Sequence, residues 1–350
     1  MNYSKQCIGI DISKDSFTAC LCKQDLSGNL KFSKINSFQN LKKGFSEMIK
    51  WVKTEKEKDV EIVFLMEATG VYYESLAHYL HGQKQTVHVV LPNTSKHYFS
   101  SLNIKTKTDA LDAKWLSQFG VERRHKAWNP PPPLILELRN LTRYLVQLTN
   151  QRTVLKNIKH SKESSFEVQK FIIQSNKALI TQIDKQIEKC KIEIERLLKS
   201  DEILFEKIKK LLTIKGVGIM TIATILAETM CFEHFNNIKQ LTSFAGYDVV
   251  QRESGSSVKG KTRISKKGNS YIRKAMYFPA VVSCIHNPIM KNVYVRVIQN
   301  KPSKMVGQVA IQRKLLSLIF TLWKNGNTFD PEYKKKVPTE VETTQDSLVC

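Results

Sequence analysis

Four carboxylates stand at the ends of ordered segments, and their spacing invites a chemical reading: Asp11, Glu67, Asp109 and Asp112. Asp11 ends the apolar run Cys7-Ile8-Gly9-Ile10, and Glu67 ends the mostly apolar run from Val60 to Met66, so each is an acid at the end of a buried strand. Asp109 and Asp112 follow Thr108 and are three apart, which puts them on one face of a first helical turn. Taken singly, a strand-end acid is as often solvated, and acids in a first turn suit the helix dipole without any catalysis. Taken as a set, two on strands and two on one helix face, they are what a pair of Mg²⁺ or Mn²⁺ ions about 3.5–4 Å apart needs to grip a phosphodiester. Oxygen ligands without His or Cys favour those hard ions over zinc.

A second group of residues suits phosphate. From Phe244 to Lys274 the chain mixes Gly and Ser with Arg252, Lys259, Lys261, Arg263, Lys266, Lys267 and Arg273, which predicts a loop facing a polyanion. Its hydroxyls at Ser254, Ser256 and Ser257 are either hydrogen-bond donors or nucleophiles, and composition does not choose between the two. Upstream, Lys215-Gly216-Val217-Gly218 separates two apolar helical stretches and resembles a helix-hairpin-helix, whose turn N–H groups hold a phosphate without reading bases.

The elements that must position these groups are legible from periodicity. Strands over 7–12, 17–22 and 30–37 open the chain, and a helix over 40–53 follows with Leu41, Phe45, Met48, Ile49 and Val52 on one face. A strand over 60–67, a helix over 71–81, a strand over 86–91 and a short helix capped near Asn93 complete a mixed α/β sheet. Pro130 to Pro133 mark a stiff boundary. Beyond it, apolar stripes from Leu134 to Ile158 and from Val168 to Leu198 predict a long helical hairpin or coiled-coil arm, with its connection near 161–165. Basic residues such as Arg152, Lys156, Lys159, Lys185, Lys189 and Lys191 line its exposed face. Apolar helices over 275–284 and 306–323 support the Ser-containing loop, and the tail from Lys334 is polar and frayed.

Charge narrows the class of partner. The 350 residues carry 55 Lys plus Arg against 32 Asp plus Glu, a net charge of +23, which points to nucleic acid first and an anionic membrane second. The N-terminus lacks the long apolar run of a signal peptide, and the stretch 306–323 is broken by Gln308, Gln312, Arg313 and Lys314, so no membrane partner and a cytoplasmic location are expected. Seven scattered cysteines, with no Cys-x-x-Cys, indicate neither a disulfide framework nor structural zinc.

Gly9-Ile10-Asp11-Ile12-Ser13-Lys14, Met66-Glu67-Ala68-Thr69-Gly70 and Lys107-Thr108-Asp109-Ala110-Leu111-Asp112-Ala113 together resemble the DEDD transposases, the insertion-sequence recombinases related to the Piv DNA invertase. The resemblance, which covers roughly 5–125 and 205–325, implies an RNase H-like, RuvC-like α/β domain over 1–128 and a mostly α transposase domain over 205–328; the helical arm over 134–200 and the flexible tail over 334–350 are read from the residues. It makes Asp11, Glu67, Asp109 and Asp112 the metal-binding catalytic set. The segment Glu253-Ser254-Gly255 upstream of Arg263-Ile264-Ser265-Lys266-Lys267-Gly268-Asn269 resembles the C-terminal domain of the same family and implies that Ser254 is the nucleophile. Family members often carry Pro in the segment after Ala-Gly, where this chain has Asp248-Val249-Val250. A structured guide RNA, of the bridge-RNA kind that pairs with donor and target DNA, and a dimeric or tetrameric assembly are also implied. Rival expectations are a metal-dependent nuclease or Holliday-junction resolvase, and a non-catalytic nucleic-acid-binding protein.

Overall fold

The computed structural model describes residues 3–102, 108–167, 170–250, 253–254, 258–259, 263–299 and 303–332. They belong to two compact units, Met1–Pro130 and Pro131–Cys350. In the first, β1 (Tyr3–Ile12) and β2 (Ser16–Asp25) are antiparallel, with Cys7 opposite Cys22 and Asp11 opposite Thr18. The strand expected over 30–37 is two pieces, β3 (Leu30–Phe32) and β4 (Asn36–Gln39), each pairing with β2. The break falls at Ser33, which accepts on its hydroxyl from the Leu21 N–H and donates its own N–H to the Leu21 carbonyl.

The helix α1 (Lys42–Glu55) leads to β5 (Ile62–Glu67), which lies parallel to β1 with Gly9 opposite Leu65 and Ile10 opposite Met66. After α2 (Glu74–Gly82), β6 (Thr86–Val90) adds parallel to β5, and α3 (Pro92–Ser101) and α4 (Asp109–Glu122) follow. The sheet order is β3-β2-β1-β5-β6, with β4 beside β2. Because side chains alternate along a strand, each strand feeds two cores. Ile8, Ile10, Phe17, Phe64 and Met66 pack with Phe45 and Met48 of α1 and Leu76 and Leu80 of α2. Cys7, Leu65 and Val90 face the other way, onto Tyr98 of α3 and Leu116 and Phe119 of α4.

Two glycines let α4 lie directly on the sheet. A Cβ at Gly9 would overlap the backbone N of Ser117 and O of Ala113, and one at Gly120 would overlap the Cys7 sulfur. Since residue 113 sits over residue 9 and residue 120 over residue 7, α4 runs antiparallel to β1 and its first turn lies toward the Asp11 end. Gly9→Ala is expected to destabilise the chain by about 3 kcal/mol, because the obstacle is helix backbone that no rotamer change can move. Chemical denaturation of the full chain measures this, and an unchanged midpoint would contradict the close crossing.

The second unit opens with α5 (Pro133–Glu163), whose proline occupies the first helical position, where a missing N–H costs nothing. It is followed by α6 (Lys170–Lys199), antiparallel to it, as the Arg152–Asp184 ion pair at one level and the Cys190 thiol on the Leu141 carbonyl at another require. Then come α7 (Glu202–Leu212), α8 (Ile219–Thr229) and α9 (Ile238–Phe244). Four two-residue strands follow: β7 (Val249–Val250), β8 (Glu253–Ser254), β9 (Val258–Lys259) and β10 (Arg263–Ile264). The chain continues through α10 (Ser270–Ala275), α11 (Tyr277–His286), α12 (Pro288–Ile298) and α13 (Lys304–Asn325). Leu138, Leu148, Ile187 and Ile194 of the arm share one core with Ile208, Ile225, Leu315 and Ile319. By length and composition α13 could cross a membrane, but Ile311, Leu315, Leu316, Ile319 and Phe320 bury its face in that core. A mixed α/β N-terminal region thus precedes a mostly helical remainder.

Candidate functional site

In the first unit, strand register and alternation decide where the acids fall. Asp11 is two residues beyond Gly9, and Glu67 two beyond Leu65, so both belong to the sheet face that α4 covers. Both lie at the same end of neighbouring parallel strands, one step past the Ile10–Met66 pair. On α4, Thr108 caps the helix by accepting from the Leu111 N–H at 3.3 Å, and Asp109 and Asp112 occupy the first turn. The antiparallel crossing carries that turn to the Asp11 end of β1. Three elements therefore bring the four acids to one end and one face of the sheet.

Their side chains are not all directed at each other. Glu67 accepts from the Thr69 hydroxyl at 3.0 Å and from the Ser95 hydroxyl, and Ser95 is fully buried at the start of α3. Asp109 is exposed, whereas Asp11 and Asp112 are half-buried. Among the described residues no three His, Cys, Asp or Glu side chains are gathered to hold a metal ion. The backbone thus carries the quartet to one end and one face of the sheet, and the side chains are not gathered at one point.

In the second unit the stretch predicted as a loop is in part a β-hairpin. Val249 and Val250 pair with Ile264 and Arg263, and farther out Glu253 and Ser254 pair with Lys259 and Val258. Ser254 pairs with Val258. Ser254 and Lys259 belong to the separate β8–β9 pair, whereas Arg252, Lys261, Ser256 and Ser257 lie outside the described residues, as does the tail 334–350. Below the hairpin the ladder continues: the Ser265 N–H donates to Asp248 O at 2.7 Å, Lys266 N–H to Gly246 O at 3.1 Å and Asn269 N–H to Phe244 O at 2.7 Å. Gly246, at φ +75°, and Gly268 are pressed together so closely that a Cβ on Gly268 would overlap the Gly246 backbone.

Three side-chain contacts hold this base. Arg273, read from sequence as a phosphate ligand, is half-buried and donates Nη1 to the carbonyls of Ala245 at 2.7 Å and Asn269 at 3.3 Å. Tyr247, whose hydroxyl burial keeps well above its ordinary pKa, lies 2.9 Å from Gln312 Oε1. Asn269 donates Nδ2 to Glu228 Oε2 at 2.6 Å, and Glu228 is gripped by Arg143 through Nε to Oε1 at 2.7 Å and Nη2 to Oε2 at 2.9 Å. Sequence reasoning missed Arg143 and Glu228. The available signal was an acid closing the apolar run Ile222 to Ala227, the same pattern that drew attention to Asp11 and Glu67.

Arg263, Lys266 and Lys267 are exposed beside the hairpin. At the Gly-x-Gly turn, Lys215 is exposed and its carbonyl accepts from the Ser283 hydroxyl at 2.9 Å. Gly216, at φ +94°, packs so closely on Ser283 of α11 that a side chain there would collide. Gly218 differs: it is the exposed N-cap of α8, its φ of −97° is ordinary, and a Cβ there would meet nothing within 4 Å. Neither its conformation nor its neighbours within the chain call for glycine.

Residues 8–161 match a family model described as transposase, of the DEDD IS110 type, and residues 208–295 match the transposase IS116/IS110/IS902 family. Pilin gene-inverting proteins of Moraxella bovis and Moraxella lacunata are each 29% identical over 331 residues, covering 93% of this chain and 98% of theirs. An uncharacterized 43.6 kDa protein of insertion element IS110 from Streptomyces coelicolor is 23% identical over 171 residues, covering 49% of this chain and 40% of its own. An Aquifex aeolicus member of the Ppx/GppA family aligns over 93% of this chain and 92% of its own at 11% identity, with a TM-score of 0.22, too low to bear on the fold.

Proposed function

Because the chain belongs to the IS110-type DEDD transposase family and is a DNA transposase or recombinase, we propose that it breaks and rejoins DNA strands through Ser254, assisted by carboxylates that bind Mg²⁺. The single observation that most supports this is the convergence of β1, β5 and the first turn of α4, which brings Asp11, Glu67, Asp109 and Asp112 to one end and one face of the sheet. An antiparallel trio continued by two parallel strands, with helices on both faces, also favours an RNase H-like reading of this unit.

The donor set fits a hard divalent ion, since all four groups offer carboxylate oxygens. When bound, Mg²⁺ supplies charge neutralisation at the phosphate and lowers the pKa of an oxygen nucleophile. The chain's own part is nucleophilic: Ser254 Oγ attacks phosphorus, a Ser–O–P bond forms, and the P–O bond to a deoxyribose oxygen breaks, that oxygen leaving as a hydroxyl. The phosphoserine keeps the energy of the broken bond. Attack by another strand's hydroxyl on the phosphoserine reverses the step, returns the proton to Ser254 and joins new partners without ATP.

Exposed Lys215, Arg263, Lys266 and Lys267, together with Arg252, Lys259 and Lys261 of the same basic segment of sequence, hold the nucleic-acid backbone. Gly218, at a helix N-terminus where the chain itself needs no glycine, leaves room for a phosphate to approach in a helix-hairpin-helix manner. A structured guide RNA that base-pairs with donor and target DNA, and a dimer or tetramer acting in the cytoplasm, complete the proposal; the net charge of +23 suits two polyanions.

The test uses a plasmid bearing the coding region with its native flanks, incubated with the protein and Mg²⁺ and then denatured. Proteolysis should release a DNA-linked peptide containing residue 254. Hydrolysed ends with no peptide attached would establish the nuclease alternative instead.

A further inference from the structure

Glu228 is a buried charged group to which strand exchange gives no part. It sits on α8, 6% exposed, with both carboxylate oxygens engaged: Arg143 of α5 takes them as a two-pronged pair, and Asn269 Nδ2 adds a third donor at 2.6 Å. The guanidinium is itself held over the Tyr271 ring, 4.8 Å from its centre. Asn269 is fully committed as well. Its Oδ1 caps α10 by accepting from the N–H groups of Tyr271 at 2.9 Å and Ile272 at 3.1 Å, and its own N–H donates to Phe244 O. With Oδ1 used by N–H donors and Nδ2 facing a carboxylate, only one orientation of the amide satisfies every partner.

From Asn269 backbone bonds run outward through Lys266–Gly246 and Ser265–Asp248 to the β10–β7 pair, and β8–β9, where Ser254 pairs with Val258, is a separate pair farther along the same stretch of chain. We propose that Glu228 is a positioning residue for strand exchange: clamped by Arg143, it fixes Asn269 and thereby the base of the hairpin that carries Ser254. This rests on Ser254 being the nucleophile. Glu228 is buried but the Arg143 side chain is 42% exposed, and an ion pair of this kind is a modest source of stability compared with apolar packing, so its use here suits a requirement for orientation. A nucleophile displaced by about 1 Å loses roughly 100-fold in rate, which sets the scale of the effect.

The experiment compares the full-length chain with Asn269→Asp, Glu228→Gln and the double variant. Asp caps a helix as well as Asn, so Asn269→Asp keeps α10 while turning a donor into a second carboxylate facing Glu228. In the double variant the amide and the carboxylate exchange places, and the bond can form again. Each single variant should show about 10-fold faster amide hydrogen exchange at Val249, Val250, Arg263 and Ile264, with α7 unaffected. Recombinant junctions on the native-flank plasmid, counted per folded protein, should fall roughly 10- to 100-fold, and the double variant should recover to within about threefold of wild type. Unchanged hairpin exchange in both single variants would overturn the proposal. So would a loosened hairpin with normal junction formation in a background where Ser254→Ala forms none, since the clamp would then be merely structural. If instead Ser254→Ala forms junctions normally, the serine mechanism falls, and the exchange measurement still decides whether Glu228 holds the hairpin.

Discussion

Ser254→Ala should abolish strand breakage, lowering the rate by at least about 10⁴-fold, the scale on which loss of an attacking hydroxyl acts. Folding and DNA binding should hardly change. Ser254 contributes to the hairpin through its backbone pair with Val258, and alanine keeps that pair. The surrounding cations proposed to hold phosphate are untouched, so affinity and its salt dependence should stay near wild type. Ser256→Ala and Ser257→Ala supply the controls, because their hydroxyls are close enough in sequence to be rival nucleophiles. Ser254→Cys, with a thiol of similar reach, should retain a fraction of the activity. Single-turnover measurement of protein–DNA adducts decides the matter: adducts formed by the Ala variant at more than a trace would remove Ser254 from the mechanism.

What sequence could reveal follows from the length scale of each signal. The strand-end acids were legible because apolar runs of four or more residues stop at Asp11 and Glu67, and β5 and β6 fall close to where those runs predict them. The long arm was legible because its stripes repeat over eight turns or so. The hairpin at 249–264 was not, since its strands are two residues long and offer no alternation to read. Gly9 was recognised as permitting close approach, but that α4 approaches it depends on contacts over a hundred positions away. The Arg143–Glu228–Asn269 chain joins three elements 85 and 41 residues apart, and each member alone resembles an ordinary surface or capping residue. Arg273 shows what a basic segment does not reveal: a cation there reads as a phosphate ligand, and packing has also given its Nη1 two carbonyls.

Asp11→Asn should lower single-turnover adduct formation by roughly 10³-fold, equivalent to about 4 kcal/mol of lost transition-state stabilisation. The substitution preserves shape, removes the charge and leaves the β1–β2 pairing at Thr18 intact. Calorimetric titration with Mg²⁺, done on the protein alone, should show weakened binding, a readout independent of the reaction. Asp112→Asn should act in the same direction, and the double variant should be only modestly worse than either, because ligands of one centre act as a unit and their losses do not add. An Asp11→Asn protein with wild-type adduct formation at every Mg²⁺ concentration would reduce the quartet to solvated strand ends and a helix cap.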